Sequence, residues 1–371
     1  MRVLLLAPSL AVGGAERQLV CLANGLVSRG HIVTVALFQK HGDLLGLLNG
    51  AVSVRNLEKK GQKDIFGFLF RLRRVIKELN PDVCYSFLGV PNLCLVVMKA
   101  LRISVPIVWG IRASNMNLNQ YGWLSRGCHV LERRLSRFAD RIIFNSEAGK
   151  KHARKHGFSL DSSRVVYNGI DTELFAFSPE AGIALRREWG VEDGQSLIGI
   201  VARLDPMKGH EVFIKAAKEA FKRNCTLRFV SVGEGVLSDD LMKTVRAYGL
   251  SEYFIWAGGR RDMNAVYNAL DVCCLPSFGE GFPNVLGEAM SCGVPCIATD
   301  VGDSAVVLGK TGKVVPPGSI TALATAMIDT VEKKKSDTVN LTRGRIVEFF
   351  SLAKMVEKTE AILMSLCNKS E

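Results

Sequence analysis

Phe278-Gly-Glu280-Gly-Phe282-Pro283-Asn284-Val285-Leu-Gly-Glu288-Ala-Met290 sets two carboxylates eight positions apart, with glycine and proline between them. On one unbroken helix that spacing would separate the two Cα atoms by ~12 Å. Proline, however, is favoured in the first turn of a helix and disfavoured inside it. Glu280 is therefore expected in a glycine-flanked loop. Glu288 is expected just over one turn into a helix spanning about 283–292, which Gly293 ends as its C-cap. A helix N-terminus attracts anions, so the layout suits a phosphate ester whose far end meets carboxylates. As an isolated pair, the two would be ordinary solvated glutamates.

Outward from this stretch, short apolar runs alternate with amphipathic segments, the pattern of βα units around parallel sheets. In the first half, strands are expected over 2–7, 32–38, 83–87, 106–110, 141–145 and 164–167, with helices near 15–28, 66–79, 92–101, 123–139 and 147–156. Asn168-Gly169-Ile170-Asp171 reads as a turn, and the polar stretch to about Gly194 as a hinge. Beyond it, strands are expected over 197–201, 227–232, 254–256, 272–275 and 295–298, and helices near 210–221, 238–248, 263–270 and 319–332. The fold class is α/β, with two doubly wound halves facing a cleft. Ligands in such sheets bind at the carboxyl ends of strands, and each candidate loop follows a strand.

Pro8-Ser-Leu-Ala-Val-Gly13-Gly14-Ala-Glu16-Arg17 is a strand-to-helix glycine loop. It lacks the third glycine of a dinucleotide fingerprint at the required spacing, and by itself a plain tight turn explains it equally well. In Ala202-Arg203-Leu-Asp205-Pro-Met-Lys208-Gly209 a guanidinium and an ammonium share one loop ahead of a helix. Together they could neutralise the charge on a departing nucleoside diphosphate. Val232-Gly233-Glu234-Gly235 and Gly258-Gly259-Arg260 are glycine turns after the next two strands, and either could be a simple connection.

The string GEGFPNVLGEAMSCGVPCIATD resembles the EX7E segment of retaining glycosyltransferases of the GT-B fold, the group 1 or family 4 enzymes of bacterial surface-polysaccharide type. The GGAER loop at Gly13 and Gly14 and the Arg203…Lys208-Gly loop are similar to the same family's phosphate-contacting loops. The resemblance implies two Rossmann-like domains. One covers 1–175 with a C-terminal helix at about 352–371, and the other covers 190–350 and binds the nucleotide-sugar. It also implies that Arg203 and Lys208 stabilise the leaving diphosphate and that Glu280 contacts the donor sugar near its anomeric carbon. Glu288 would bond the ribose. Gly233, Arg260, Phe282, Pro283, Asn284 and Val285 would complete the donor site. The chain has no Asp-x-Asp and no His/Cys cluster at metal-ligand spacing, so no metal and no cofactor beyond the donor is expected. Two places depart from the family pattern. Cys84-Tyr-Ser86-Phe-Leu-Gly carries no histidine where many members have one, leaving Ser86 and Arg112 as candidate acceptor contacts. Val301-Gly-Asp303-Ser-Ala replaces the usual glycine pair and glutamate.

At 371 residues the chain suits two domains of ordinary size. Its ten cysteines lack CxxC pairs, as expected of thiols in a reducing cytosol. Residues 1–175 carry 25 Lys plus Arg against 12 Asp plus Glu, and the remainder 23 against 24. The helix over 123–139 is expected to bury Leu124, Cys128, Leu131, Leu135 and Phe138, with Arg126, Arg133 and Arg137 on another face. Residues 59–77 interleave seven basic residues with Phe66, Phe68 and Phe70. Basic charge beside large apolar groups suits an anionic membrane surface, whereas no nucleic-acid motif accompanies it. The expected enzyme lies on the inner face of the plasma membrane. It moves a UDP-hexose or UDP-N-acetylhexosamine sugar to a lipid-linked glycan. The rivals are a nucleotide-sugar 2-epimerase on the same fold and a non-catalytic nucleotide-sugar-binding subunit.

Overall fold

The computed structural model describes residues 1–61, 63–112, 123–332 and 336–367, without the side chains of 123–125 and 336–338. The chain divides into two compact units, Met1–Gly169 with Leu352–Glu371, and Ile170–Ser351.

The first unit is a seven-stranded parallel sheet in the order β3-β2-β1-β4-β5-β6-β7. Its strands are β1 (Arg2–Ala7), β2 (Ile32–Leu37), β3 (Ser53–Asn56), β4 (Val83–Phe87), β5 (Ile107–Ile111), β6 (Arg141–Phe144) and β7 (Ser163–Val165). Buried on both faces, the central strands are continuous apolar runs rather than alternating ones. Helix α1 (Gly14–Ser28) and the C-terminal α14 (Leu352–Cys367) share one core with one face of the sheet. Gly25 allows their close approach, since a Cβ there would meet Val356 at 2.4 Å. Glu360 of α14 accepts from Arg29 Nε and pairs with His31 Nε2, both at 2.6 Å. The final helix thus belongs to the first unit; residues 368–371 of the expected segment lie outside the described residues.

Helices α2 (Phe66–Leu79), α3 (Gly89–Ala100), α4 (Trp123–Leu135) and α5 (Glu147–Lys155) complete the first unit. In α4 the buried face is not the expected apolar stripe. Leu131 is exposed and Glu132 buried, and in the 3-10 turn Ser136–Phe138 that follows the helix Ser136 is buried and Phe138 exposed. The side chain of Leu124 lies outside the described residues. Helix α4 turns inward the face that carries Glu132, because that carboxylate meets Asn92 of α3. In α2, Phe68 enters the core edge-on to Phe38, but Phe66 and Phe70 are 88% and 68% exposed.

The second unit is a six-stranded parallel sheet in the order β10-β9-β8-β11-β12-β13. Its strands are β8 (Ser196–Val201), β9 (Leu227–Val232), β10 (Phe254–Gly258), β11 (Val272–Leu275), β12 (Cys296–Thr299) and β13 (Lys313–Val315). Its helices are α6 (Pro179–Glu188), α7 (His210–Arg223), α8 (Ser238–Ala247), α9 (Met263–Ala269), α10 (Asn284–Ser291), α11 (Ser304–Leu308), α12 (Ile320–Val331) and α13 (Ser336–Phe349). Residues 170–194 are not a bare hinge. They contain α6, which starts with Pro179 in its first turn. Gly182 of α6 lies so close to α9 that a Cβ would meet the Asn268 carbonyl oxygen at 2.4 Å. Arg343 of α13 gathers the carbonyls of Thr172, Phe175 and Ser291, placing a cation at the C-terminal end of α10 where the helix dipole favours one.

Candidate active site

The strand order of the second unit reverses between β8 and β11, which opens a crevice beyond their carboxyl ends. β8 runs into residues 202–209 and β11 into residues 276–283. The Phe278 amide donates to the Met207 carbonyl at 2.8 Å, joining the two loops. Gly209 makes the closest approach. Its φ is +70°, and a Cβ there would lie 2.1 Å from the Pro276 carbonyl oxygen, so only glycine fits.

Within these loops Lys208 and Glu280 meet. Lys208 Nζ donates to Glu280 Oε1 at 2.7 Å. Ser277 Oγ donates to the same oxygen at 2.7 Å. Ser277 is fully buried, and its carbonyl accepts from Thr299 Oγ1 of β12 at 2.5 Å. The Lys208 and Glu280 side chains keep 22% and 10% exposure, so both are mostly buried. Arg203 lies in the same loop with an 81% exposed side chain, 3.1 Å from Asp205. Its carbonyl contacts His210 Nε2 at 3.0 Å. Burial holds the His210 imidazole below its usual range, against the pull of that carbonyl. His210 is thus a neutral brace rather than a third cation.

Helix α10 starts at Asn284 with Pro283 as its N-cap. It closes where the Gly293 amide donates to Met290 and the Val294 amide to Ala289, a Schellman ending with Gly293 at φ +80°. Phe282 is buried against Phe350, ring centroids 5.5 Å apart, and Val285 is half-buried in the first turn. Glu288 is the fifth residue of the helix and only 7% exposed. Its Oε2 accepts from Tyr267 Oη of α9 at 2.6 Å. Burial, then the adjacent Glu288 charge, push the Tyr267 hydroxyl well above its ordinary range, so the phenol stays a donor. The departure at 301–305 braces the same loop, since the buried Asp303 donates its amide to the Gly281 carbonyl at 2.9 Å.

Gly233 follows β9, where a Cβ would lie 2.0 Å from the Ala202 carbonyl oxygen. It packs the β9 loop onto the β8 loop. Arg260 is committed elsewhere: it bonds Asp262 at 2.8 and 2.7 Å and Glu188 at 2.8 Å, and lies over Trp189. These bonds, Asp262 first and Glu188 next, push its guanidinium above the usual arginine range. Arg260 ties the turn after β10 to the end of α6. Ser277, Thr299, Tyr267 and His210 were not among the sequence candidates, although Ser277 stands three residues before Glu280.

In the first unit Gly13 is the extended N-cap of α1, and Gly14 is that helix's first residue. The Glu16 carboxylate folds back over Gly13. Ser86 is not available to an acceptor. It is fully buried and its hydroxyl donates to Asn92 Oδ1 at 2.7 Å. Arg112 reaches Tyr85 Oη at 2.7 Å and Asn168 Oδ1 at 3.3 Å, with its guanidinium over the Phe87 ring.

Comparison with known proteins agrees with this layout. Residues 12–174 match the model described as Glycosyltransferase Family 4, and residues 195–333 the model described as Glycosyl transferases group 1. The chain is 29% identical over 208 residues to the UDP-Gal:alpha-D-GlcNAc-diphosphoundecaprenol alpha-1,3-galactosyltransferase of Escherichia coli, covering 54% of each chain. The chain thus spans about half of that relative's length. It is 27% identical over 298 residues to a Campylobacter jejuni alpha-1,4-N-acetyl-D-galactosaminyltransferase named for a diNAcBac-PP-undecaprenol-linked substrate, covering 78% of this chain and 77% of the relative. Anabaena Alr3699/HepE, solved in complex with UDP, superposes with a TM-score of 0.84 at 23% identity, over 98% of this chain and 100% of that one. Two Rossmann-like units and these neighbours establish the GT-B fold, and the chain belongs to the glycosyltransferases of group 1 and family 4.

Proposed function

We propose that the protein is a retaining, metal-independent glycosyltransferase that moves a hexose or N-acetylhexosamine from UDP to a lipid-linked glycan. The carrying observation is the Lys208–Glu280 contact at the switch point, 2.7 Å long and braced by Ser277. It sets a cation and a carboxylate at the place where a sugar diphosphate would straddle the carboxyl ends of β8 and β11. In the proposed reaction the bond from the anomeric carbon to the diphosphate oxygen breaks. The acceptor oxygen bonds that carbon on the same face, and its proton passes to an oxygen of the departing diphosphate. Lys208 and Arg203 stabilise the charge that develops there, the electrostatic role in which fixed cations are most effective. Glu280 holds the donor sugar. Two donors already share its Oε1, which weakens that oxygen as a nucleophile and favours the direct route over a covalent intermediate.

The named UDP and undecaprenol ligands of the relatives support the donor base and the lipid-linked acceptor. Among the described residues no helix is long and apolar enough to cross a membrane. Attachment to the inner face of the plasma membrane would rest on the basic first unit and on the exposed Phe66 and Phe70 of α2. The experiment is a panel of UDP-, GDP- and ADP-sugars with membrane lipid extract, with and without EDTA. Extract-dependent UDP release from one sugar, undiminished by EDTA, is expected. Activity lost to EDTA and restored by Mg²⁺ would end the metal-free part. A donor that binds but never turns over would favour the non-catalytic reading.

A further inference from the structure

A pocket of about 240 Å³ lies inside the first unit, between the start of α3, the end of β5 and the facing sides of α4 and α5. Glu132, 9% exposed, lines it from α4. Its Oε1 accepts from Asn92 Nδ2 at 3.0 Å, and Asn92 in turn accepts from Ser86. The carboxylate also sits beside Gly89, the first residue of α3, where a Cβ would meet Oε2 at 2.9 Å. Burial raises the Glu132 carboxyl above its usual range, with the Asn92 bond opposing. Compensating the amino end of α3 accounts for Glu132 alone.

Two further observations are left over. Arg112 Nε and His129 Nε2 are buried without a hydrogen-bond partner among the described residues, and both residues line the pocket. Such orphans are uncommon in native proteins and ask for a ligand or water. Leu88, on the same wall, has φ +75° and ψ 166°, a conformation that non-glycine residues hold mainly at functional sites. Phe158 supplies an apolar wall, with its ring centroid 5.4 Å from that of His129.

This chemistry narrows the occupant. A purely apolar ligand would leave both nitrogens orphaned, and an anion would face the Glu132 carboxylate. No group of three His, Cys, Asp or Glu among the described residues is placed to hold a metal. We propose that the pocket binds one neutral, hydroxylated sugar ring. Glu132 accepts from a hydroxyl, Arg112 Nε and His129 Nε2 bond its oxygens, and Phe158 faces its C–H side. That this ring belongs to the acceptor rests on the transferase reading; the pocket's preference for a sugar does not.

Saturation-transfer NMR on the full chain, with methyl glycosides of glucose, galactose, mannose and N-acetylglucosamine, tests the binding directly. Saturation of at least one glycoside is expected, lost in Ala153→Leu, which fills the pocket, and reduced at least five-fold in His129→Phe. No saturation with the wild type, or a signal that survives in the folded Ala153→Leu protein, overturns the proposal. The source is tested with donor and lipid extract. In Glu132→Gln the acceptor KM is expected to rise at least ten-fold relative to the donor KM. Equal changes in both would overturn the assignment to the acceptor and leave a site for free monosaccharide. A wild type that releases no UDP from any donor would instead sink the transferase reading, while the NMR result decides the pocket.

Discussion

In the proposed reaction, replacing Lys208 by alanine removes a cation from the departing diphosphate as well as from Glu280. Loss of one preorganised electrostatic contact typically costs about 10²–10³ in kcat, and that fall is expected for Lys208→Ala in a UDP-release assay. Wild-type turnover would remove Lys208 from the site. Tyr267→Phe tests the other carboxylate. It deletes the donor to the buried Glu288 Oε2, so unfolding in urea should lose about 1–3 kcal/mol. An unchanged midpoint would mean that Glu288 finds another donor. The Lys208 and Glu280 loops were legible because each follows an expected strand and resembles a family motif; that their two strands flank a switch point came only from the structure. Tyr267 and Ser277 were illegible for a physical reason. A buried tyrosine and a buried serine read as core until the structure shows which carboxylate each one holds.

Helix α14 is held to the first unit by apolar contact along α1 and by Glu360 at the end of that helix. Burial alone would raise the Glu360 carboxyl, but bonds from His31 and Arg29 outweigh it and hold it below its usual 4.5. A carboxyl held low in the folded state contributes stability above its unfolded pKa, and that contribution fades as pH falls through the folded value. Wild type is therefore expected to exceed Glu360→Gln in thermal stability above about pH 5. The gap should close in more acid solution; one that persists at pH 3 would assign the effect to packing. The docking of this helix was expected from the family resemblance rather than from its own spacing, whereas most strands were legible as apolar runs. The edge strand β3 was not. Only Val54 of its four residues is even partly buried, so no apolar run marks it. Helix α6 was hidden by polar composition, although Pro179 and Glu180 are sound start signals.

At the scale of the molecule, charge follows the division into units more sharply than it follows the midpoint of the sequence. The first unit, with its C-terminal segment, carries 28 Lys plus Arg against 13 Asp plus Glu, and the second 20 against 23. Such a surplus concerns partners rather than folding. Near an anionic bilayer each cation contributes ~1 kcal/mol, over a range set by a Debye length of about 8 Å at physiological ionic strength. The aromatic part sits on α2, where Phe66 and Phe70 extend into solvent while Phe68 anchors the helix. Charge and aromatic contact therefore have separable signatures in vesicle co-sedimentation. Raising salt should release the protein from vesicles containing phosphatidylglycerol, and neutral vesicles should retain little. Phe66→Ser with Phe70→Ser should weaken binding at every salt concentration. Because both rings are already exposed, unfolding free energy should move by less than ~0.5 kcal/mol per substitution. Salt-insensitive binding that vanishes with the two phenylalanines would make apolar insertion the main attraction. Binding indifferent to both would leave the basic unit as a solvated surface with no membrane role.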